Sequence, residues 1–323
     1  MQKKVLVVGG AGYIGGGTTE ALMAQRIPFA VYDNLTYENH YLKPVEFING
    51  DIRDHDKLAK VLKDFTHVVW LAALVGDGAC AINPAMTKTI NTDSLEWLAK
   101  HFDGRIVFTS TCSVYGANDR PVSEESVLNP LSVYAKTKLE AERFLQEKNS
   151  LIFRLGTAFG ISDTYSRIRM DLAVNYMTMN AITKGALKVF GGNQWRPFIH
   201  VNDIGRFIAE SLFKQHTGIY NLATENVTIL DLAERIKAQT DCAVEKTEQK
   251  FQDNRNYNAD TGKALAAGIL PTSTTNTIDY GISQVKKLVN ENRVTNLEHE
   301  FYSNERRMLA FMDTYARFET INK

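Results

Sequence analysis

Near the N-terminus, Val5-Leu-Val-Val8 runs without a break into Gly9-Gly-Ala-Gly12-Tyr-Ile-Gly15. The apolar run reads as a strand buried on both faces, and Ile14 opens a helical pattern that continues to Gln25. Strand, glycine turn and helix start, in that order, gather backbone N–H groups and the positive end of a helix dipole at one point. Glycines in such a turn let the backbone approach a pyrophosphate closely. The next strand ends at Asp33, 18 residues after Gly15. A carboxylate there accepts hydrogen bonds from ribose hydroxyls and repels a 2′-phosphate, so the pattern points to NAD rather than NADP. The competing reading of Asp33 is a turn residue ahead of Asn34.

The pattern repeats. Strand-like segments at Lys4–Val8, Phe29–Asp33, Val45–Ile48, His67–Ala73, Arg105–Ser110 and Ser150–Leu155 alternate with helical ones at Ile14–Gln25, His55–Asp64, Met86–His101 and Tyr134–Lys148. This predicts an α/β chain with a Rossmann-type, doubly wound parallel sheet. Beyond it, Ile161–Arg169 reads as a loop and Met170–Lys184 as a helix. Leu187–Gly192 and Phe198–Val201 read as strands, Ile204–Lys214 and Ile229–Gln239 as helices, and Ile282–Phe318 as mostly helical. No linker separates the halves. The expected organisation is an NAD-binding domain over residues 1–160, with 197–217. A smaller, interwoven α/β substrate-binding subdomain takes 161–196 and 218–323.

The 323 residues carry 37 basic and 37 acidic side chains, which argues against a nucleic-acid or anionic-membrane surface. No apolar run approaches the ~18 residues that span a bilayer. A strand begins almost at residue 1, leaving no room for a signal peptide. Cys80, Cys112 and Cys242 are few and widely spaced, which suits free thiols in a reducing compartment, so the expected location is the cytoplasm. The dispersed histidines show no metal-ligand spacing, and no metal is expected.

Tyr134-Ala-Lys-Thr-Lys138 puts a phenol and an ammonium on one face of a helix. A cation beside a phenol favours the phenolate and makes it usable as a general acid or base. Asp51, with Ile52, follows another strand; it reads either as an acceptor for the adenine amino group or as a helix N-cap. Small residues at Ala72 and Ala73, after Leu71, leave room for a cofactor beside the backbone. Asn91 lies inside a helical pattern where it is unfavourable, and so reads as a tie to a neighbouring strand.

Taken together these motifs resemble the extended short-chain dehydrogenase/reductase family, in particular its NAD-dependent nucleotide-sugar epimerases and dehydratases. The matching pieces also include Thr109-Ser-Thr-Cys-Ser-Val-Tyr-Gly116, Arg154-Leu-Gly156, Arg196-Pro-Phe-Ile-His-Val-Asn-Asp203 and Tyr220-Asn-Leu222. The resemblance implies a catalytic set of Thr111, Tyr134 and Lys138. It implies a cofactor site of Gly9, Gly12, Tyr13, Ile14, Gly15, Asp33, Asn34, Asp51, Ile52, Leu71, Ala72 and Ala73, together with Tyr134 and Lys138. It suggests Asn175, Arg196 and Arg255 for the substrate phosphates, Val189 and Phe190 against the base, and Asp77, Cys80, Ser113 and Arg169 around the sugar. Thr157 departs from the Asn that many relatives carry after Arg-x-x. Dehydratases of the family place Asp-Glu where this chain has Cys112-Ser113, so elimination is disfavoured and hydride transfer at a sugar carbon, usually C4, is expected. The stretches Leu71–Cys80 and Arg169–Asn175 resemble a bacterial subgroup acting on surface-polysaccharide sugars, with oxidation of a GDP-heptose at C4 as the expected reaction. C4 epimerisation is the alternative, and a non-catalytic NAD-binding module the reading from another class. The resemblance also implies a homodimer.

Overall fold

The computed structural model describes residues 3–247 and 255–321. In chain order its first half comprises β1 (Val5–Val8), α1 (Tyr13–Ala24), β2 (Phe29–Asp33), β3 (Glu46–Asn49), α2 (His55–Leu62), β4 (His67–Trp70), α3 (Asp77–Ile82), α4 (Pro84–Lys88), α5 (Ser94–His101), β5 (Arg105–Thr111), α6 (Val133–Leu145) and β6 (Ser150–Leu155). The second half adds β7 (Thr157–Phe159), α7 (Ala173–Lys184), β8 (Ala186–Phe190), β9 (Trp195–His200), α8 (Val201–Ser211), β10 (Gly218–Leu222), β11 (Glu225–Thr228), α9 (Ile229–Thr240), β12 (Ala243–Thr247), α10 (Gly262–Ala266), α11 (Ile278–Asn290) and α12 (Asn304–Ile321).

A seven-stranded, wholly parallel sheet in the order β10-β6-β5-β4-β1-β2-β3 forms the centre. Its inner strands β1, β4, β5 and β6 bury both faces. Val5, Val7, Val69, Val107 and Leu151 pack on one side with Leu22, Ile204, Phe207 and Ile208 of α1 and α8. Leu6, Val8, Val68, Trp70 and Phe108 pack on the other with Leu58, Leu95, Leu98 and Leu145. The doubly wound Rossmann-type sheet is thus as expected. A three-stranded sheet (β11-β9-β7) and a two-stranded one (β12-β8) share a separate core with α7, α9 and α11.

Three expectations need correcting. Gly218–Leu222 is the edge strand of the large sheet, not part of the smaller unit, while Trp195–His200 belongs to the three-stranded sheet. Their apolar character fits either sheet, and only tertiary pairing decides. Met86–His101 is not one helix: α4 and α5 are joined by a widened π turn at Thr89–Asp93. Its Asn91 exchanges two hydrogen bonds with Leu74, just beyond β4, at 2.8 and 2.9 Å. The tail is interrupted between Asn290 and Asn304, with only a short turn at Glu300–Tyr302. Among the described residues no helix is long and apolar enough to cross a membrane.

Candidate active site

The carboxyl ends of β1 to β4 open on a cleft. Gly9, Gly12–Gly15, Asp33–Asn34, Asp51–Ile52 and Leu71–Ala73 all line it. Gly9 has φ +80°, and a Cβ there would lie 2.5 Å from the Ala72 nitrogen, so the turn is pressed onto the end of β4. Gly12 is different. A Cβ there would meet only the Gly9 oxygen at 3.6 Å, so the space beside it is open to the cleft.

The Asp33 carboxylate accepts from Ala11 N at 3.0 Å and Leu35 N at 2.8 Å. Burial raises its pKa, and these backbone donors pull against that rise. Asp33 therefore fixes the glycine turn as well as facing the cleft. Asp51 is not an N-cap: Asp54 takes that place on α2 through Lys57 N. Asp51 instead grips Arg53 through two side-chain contacts of 2.9 and 2.6 Å and accepts from Asn34 at 2.9 Å. Burial acts to raise its pKa, but Arg53 and Asn34 outweigh it and hold the carboxyl at about 2.

Beside the cleft, Ser132 caps α6 by accepting from Ala135 N at 3.1 Å, and the helix carries Tyr134 and Lys138 one turn apart. Tyr134 packs with Leu74 and Cys80. Thr111 ends β5, and its hydroxyl accepts from Ser113 N at 3.1 Å. The expected lowering of the Tyr134 pKa is not found; the shift is upward. Burial is the main cause, the charges of Cys80 and Asp77 add to it, and Thr111 and Arg169 oppose it. The Lys138 ammonium lies 4.1 Å from the centroid of the Phe108 ring and is not among the charges that act on Tyr134. Burial lowers its own pKa to about 7, against the opposing pull of Glu142 and Cys80. Glu142, one turn further along α6, is clamped by Arg154 at 3.1 and 2.7 Å, and Arg154 also donates to the Tyr115 hydroxyl at 3.0 Å.

Several residues assigned to the sugar end form one connected group. Asp77, at the start of α3, pairs with Arg255 at 3.1 Å. Arg196 donates to the carbonyls of Trp195 and Arg255 and lies over the Tyr257 ring. The Tyr257 hydroxyl reaches Ser113 Oγ at 3.1 Å. Cys80 is buried, with its thiol on the Leu74 carbonyl. Arg169 is placed differently. It lines the dinucleotide cleft, forks onto Asp171 at 2.9 and 3.0 Å and lies over the Tyr13 ring.

Two assignments do not fit. The Asn175 amide is fully buried and spent on Gly160 N, Gly160 O and the Arg169 carbonyl, so it holds a loop and has no reach to a phosphate. Val189 packs in the core of the smaller unit with Leu187, Phe198 and Leu232, leaving only Phe190, partly exposed at the end of β8, for contact with a base. The cleft also contains residues the sequence reading did not single out, notably Tyr37, Glu38, Arg167 and Asn304. The one sequence signal for them is a second arginine two residues before Arg169 in a polar loop.

The residues present fit NAD. There is a cradle at Gly12 that a Cβ would fill, acceptors at Asp33, small residues at Ala72 and Ala73, and two arginines at the rim. A parallel nucleotide-binding sheet with a Tyr-x-x-x-Lys helix beside its cleft defines an NAD-dependent oxidoreductase. Residues 5–223 match the model of the NAD dependent epimerase/dehydratase family, and the chain belongs to that family. It is similar to a putative UDP-glucose 4-epimerase of Methanocaldococcus jannaschii, 32% identical over 62% of this chain and 71% of that one. The UDP-glucose 4-epimerase of Rhizobium meliloti is also 32% identical, over 62% and 69%. Among solved structures, the UDP-glucuronic acid 4-epimerase of Bacillus cereus, in complex with UDP-glucuronic acid and NAD, is 25% identical with a TM-score of 0.76, covering 90% of this chain and 99% of that one.

Proposed function

We propose that the enzyme oxidises C4 of the sugar in a nucleoside diphosphate sugar. The observation that carries this reading is the Tyr134 phenol within hydrogen-bonding reach of Thr111 and packed near Leu74 of the cleft, on the helix that also bears Lys138, with Cys112 and Ser113 where elimination would need carboxylates. Bound NAD would supply the hydride acceptor. Tyr134, as the phenolate, would take the proton of the reacting hydroxyl, Thr111 Oγ would hold its oxygen, and Lys138 would orient the nicotinamide ribose. The buried Cys112 thiol, whose pKa burial raises, stays protonated and donates to the Arg154 carbonyl, so it offers no general base. Arg196 and Arg255 serve the diphosphate, while Asp77 and Ser113 border the sugar.

The resemblance of Leu71–Cys80 and Arg169–Asn175 supports release of the 4-ketone, with a GDP-heptose of surface polysaccharide as substrate. The names of the similar proteins favour a second reading, return of the hydride to the opposite face and C4 epimerisation. Incubation with GDP-heptose, GDP-mannose and UDP-glucose, followed by reduced-nicotinamide absorbance and product NMR, separates the two. Ketone with accumulating NADH supports oxidation; an inverted sugar with no net NADH supports epimerisation. A 4-keto-6-deoxy product contradicts both.

The division of the chain into an NAD-binding and a substrate-binding unit belongs to the same proposal. So does pairing of two copies into a homodimer, which a monomeric mass by light scattering would refute.

A further inference from the structure

The glycine turn after β1 lies between the segments that follow β2 and β4, because the sheet order is β4-β1-β2. The first turn of α12 spans that gap. Asn304 donates through its side chain to the Val75 carbonyl, after β4, at 2.9 Å. Arg307 donates to the Thr36 carbonyl at 3.3 Å and to Asn39 Oδ1 at 2.9 Å, both after β2. Asn304 N also donates to Asp171 Oδ2 at 2.7 Å, and its side-chain oxygen accepts from Arg167 Nη2. Met308, 1% exposed, seats the helix against Leu74, Ala79 and Cys80. One helical turn thus joins three parts of the cleft rim.

A second observation points to a ligand. Arg167 and Glu38 line the cleft and are only 4% and 5% exposed. Arg167 Nε and Glu38 Oε1 lie 3.5 Å apart as an ion pair, yet neither atom makes a hydrogen bond among the described residues. Buried polar atoms of this kind are costly unless something else satisfies them. Arg167 and Arg169 are the cations lining the cleft, and the diphosphate is the anionic part of NAD.

We propose that the first turn of α12 is a strap that retains NAD, with Arg167, held by Asn304, as the cation facing the cofactor diphosphate. The inference rests on NAD as the cofactor and not on the identity of the sugar. NAD leaves the cleft only when the Asn304 and Arg307 contacts open, so the cofactor stays with the enzyme between turnovers.

The test is NAD release from loaded enzyme, followed without turnover by chase with an excess of a nicotinamide-modified analogue. The double variant Asn304→Ala, Arg307→Ala should release NAD about tenfold faster, as expected for the loss of a few hydrogen bonds, while still unfolding cooperatively when free of NAD. Release at the parent rate from a folded variant overturns the proposal, as does free exchange of NAD by the parent within the mixing time. Should the variant fail to fold, hydrogen exchange on the parent protein decides. NAD should slow exchange of amides in residues 304–314; identical exchange with and without NAD overturns the strap.

Discussion

The phenol of Tyr134 and the ammonium of Lys138 are one helical turn apart, yet burial pushes them in opposite directions, the phenol upward and the lysine down to about 7. Tyr134→Phe should lower kcat by roughly 10²- to 10⁴-fold while leaving NAD bound, measured as turnover and as cofactor retained on gel filtration. Lys138 makes a second prediction, with a sign that can be worked out. Its folded value lies near 7 and its ordinary value at 10.5. Between them the unfolded chain holds a proton that the folded chain has lost, so stability rises with pH across that window. Below it the burial penalty is fully present. Lys138→Met should therefore stabilise the NAD-free protein by roughly 1–3 kcal/mol at neutral pH, with the gain fading as pH rises toward 10.5. A variant that melts lower than the parent at neutral pH would contradict this. The residues were legible because Tyr134 and Lys138 are close in sequence and their spacing has chemical meaning. Their charge states were not, since burial sets them together with Phe108, Cys80 and Asp77 from other elements.

At the scale of elements, two glycines of one turn separate folding from binding. Gly9→Ala puts a side chain at positive φ and onto Ala72, and should cost about 2–4 kcal/mol, read by chemical denaturation. Gly12→Ala meets no comparable obstacle and should leave the stability of the NAD-free protein within about 1 kcal/mol of the parent. It should instead weaken NAD binding by an order of magnitude or more, measured by calorimetry, because the methyl fills the cradle. The strands of the large sheet were readable because burial on both faces demands long apolar runs. The edge strands β7, β11 and β12 were not. Thr157-Ala-Phe159 is only three residues long, Glu225-Asn-Val-Thr228 and Ala243-Val-Glu-Lys-Thr247 are short and mostly polar, and all three become strands by pairing with β9 and β8. Asn91 shows the converse: an unfavourable helical residue marked the spot where the helix opens to reach Leu74.

Across the whole molecule, the two units share their chain too finely for a single boundary. After β9 leaves the smaller core, α8 returns to the large sheet. Ala264, Ile269 and Leu270 pack there too, although they follow β11, α9 and β12. Nothing in the sequence foretold that Asn304 would reach the cofactor cleft, since its neighbours there lie more than 130 positions away. Helix α1 carries the same lesson into folding. Gly15, Gly16 and Gly17 are adjacent in it, each occupied by a different part of the chain: Gly10 of the turn, Ser162–Ser166 of the loop, and Val201 and Gly205 of α8. Three glycines in twelve residues leave little intrinsic helicity, so α1 owes its form to those partners. A synthetic peptide of residues 13–24 should show no helix by circular dichroism. On the ribosome, Gly205 is made nearly two hundred residues after Gly17, which it must pack against. A helix made well before its partners is thus among the last to be fixed, and pulse-labelled hydrogen exchange should find its amides protected only in the final folding phase. Because the glycine turn is anchored by that helix, the nascent chain gains a nucleotide-binding site only once α8 has been made and has packed against α1.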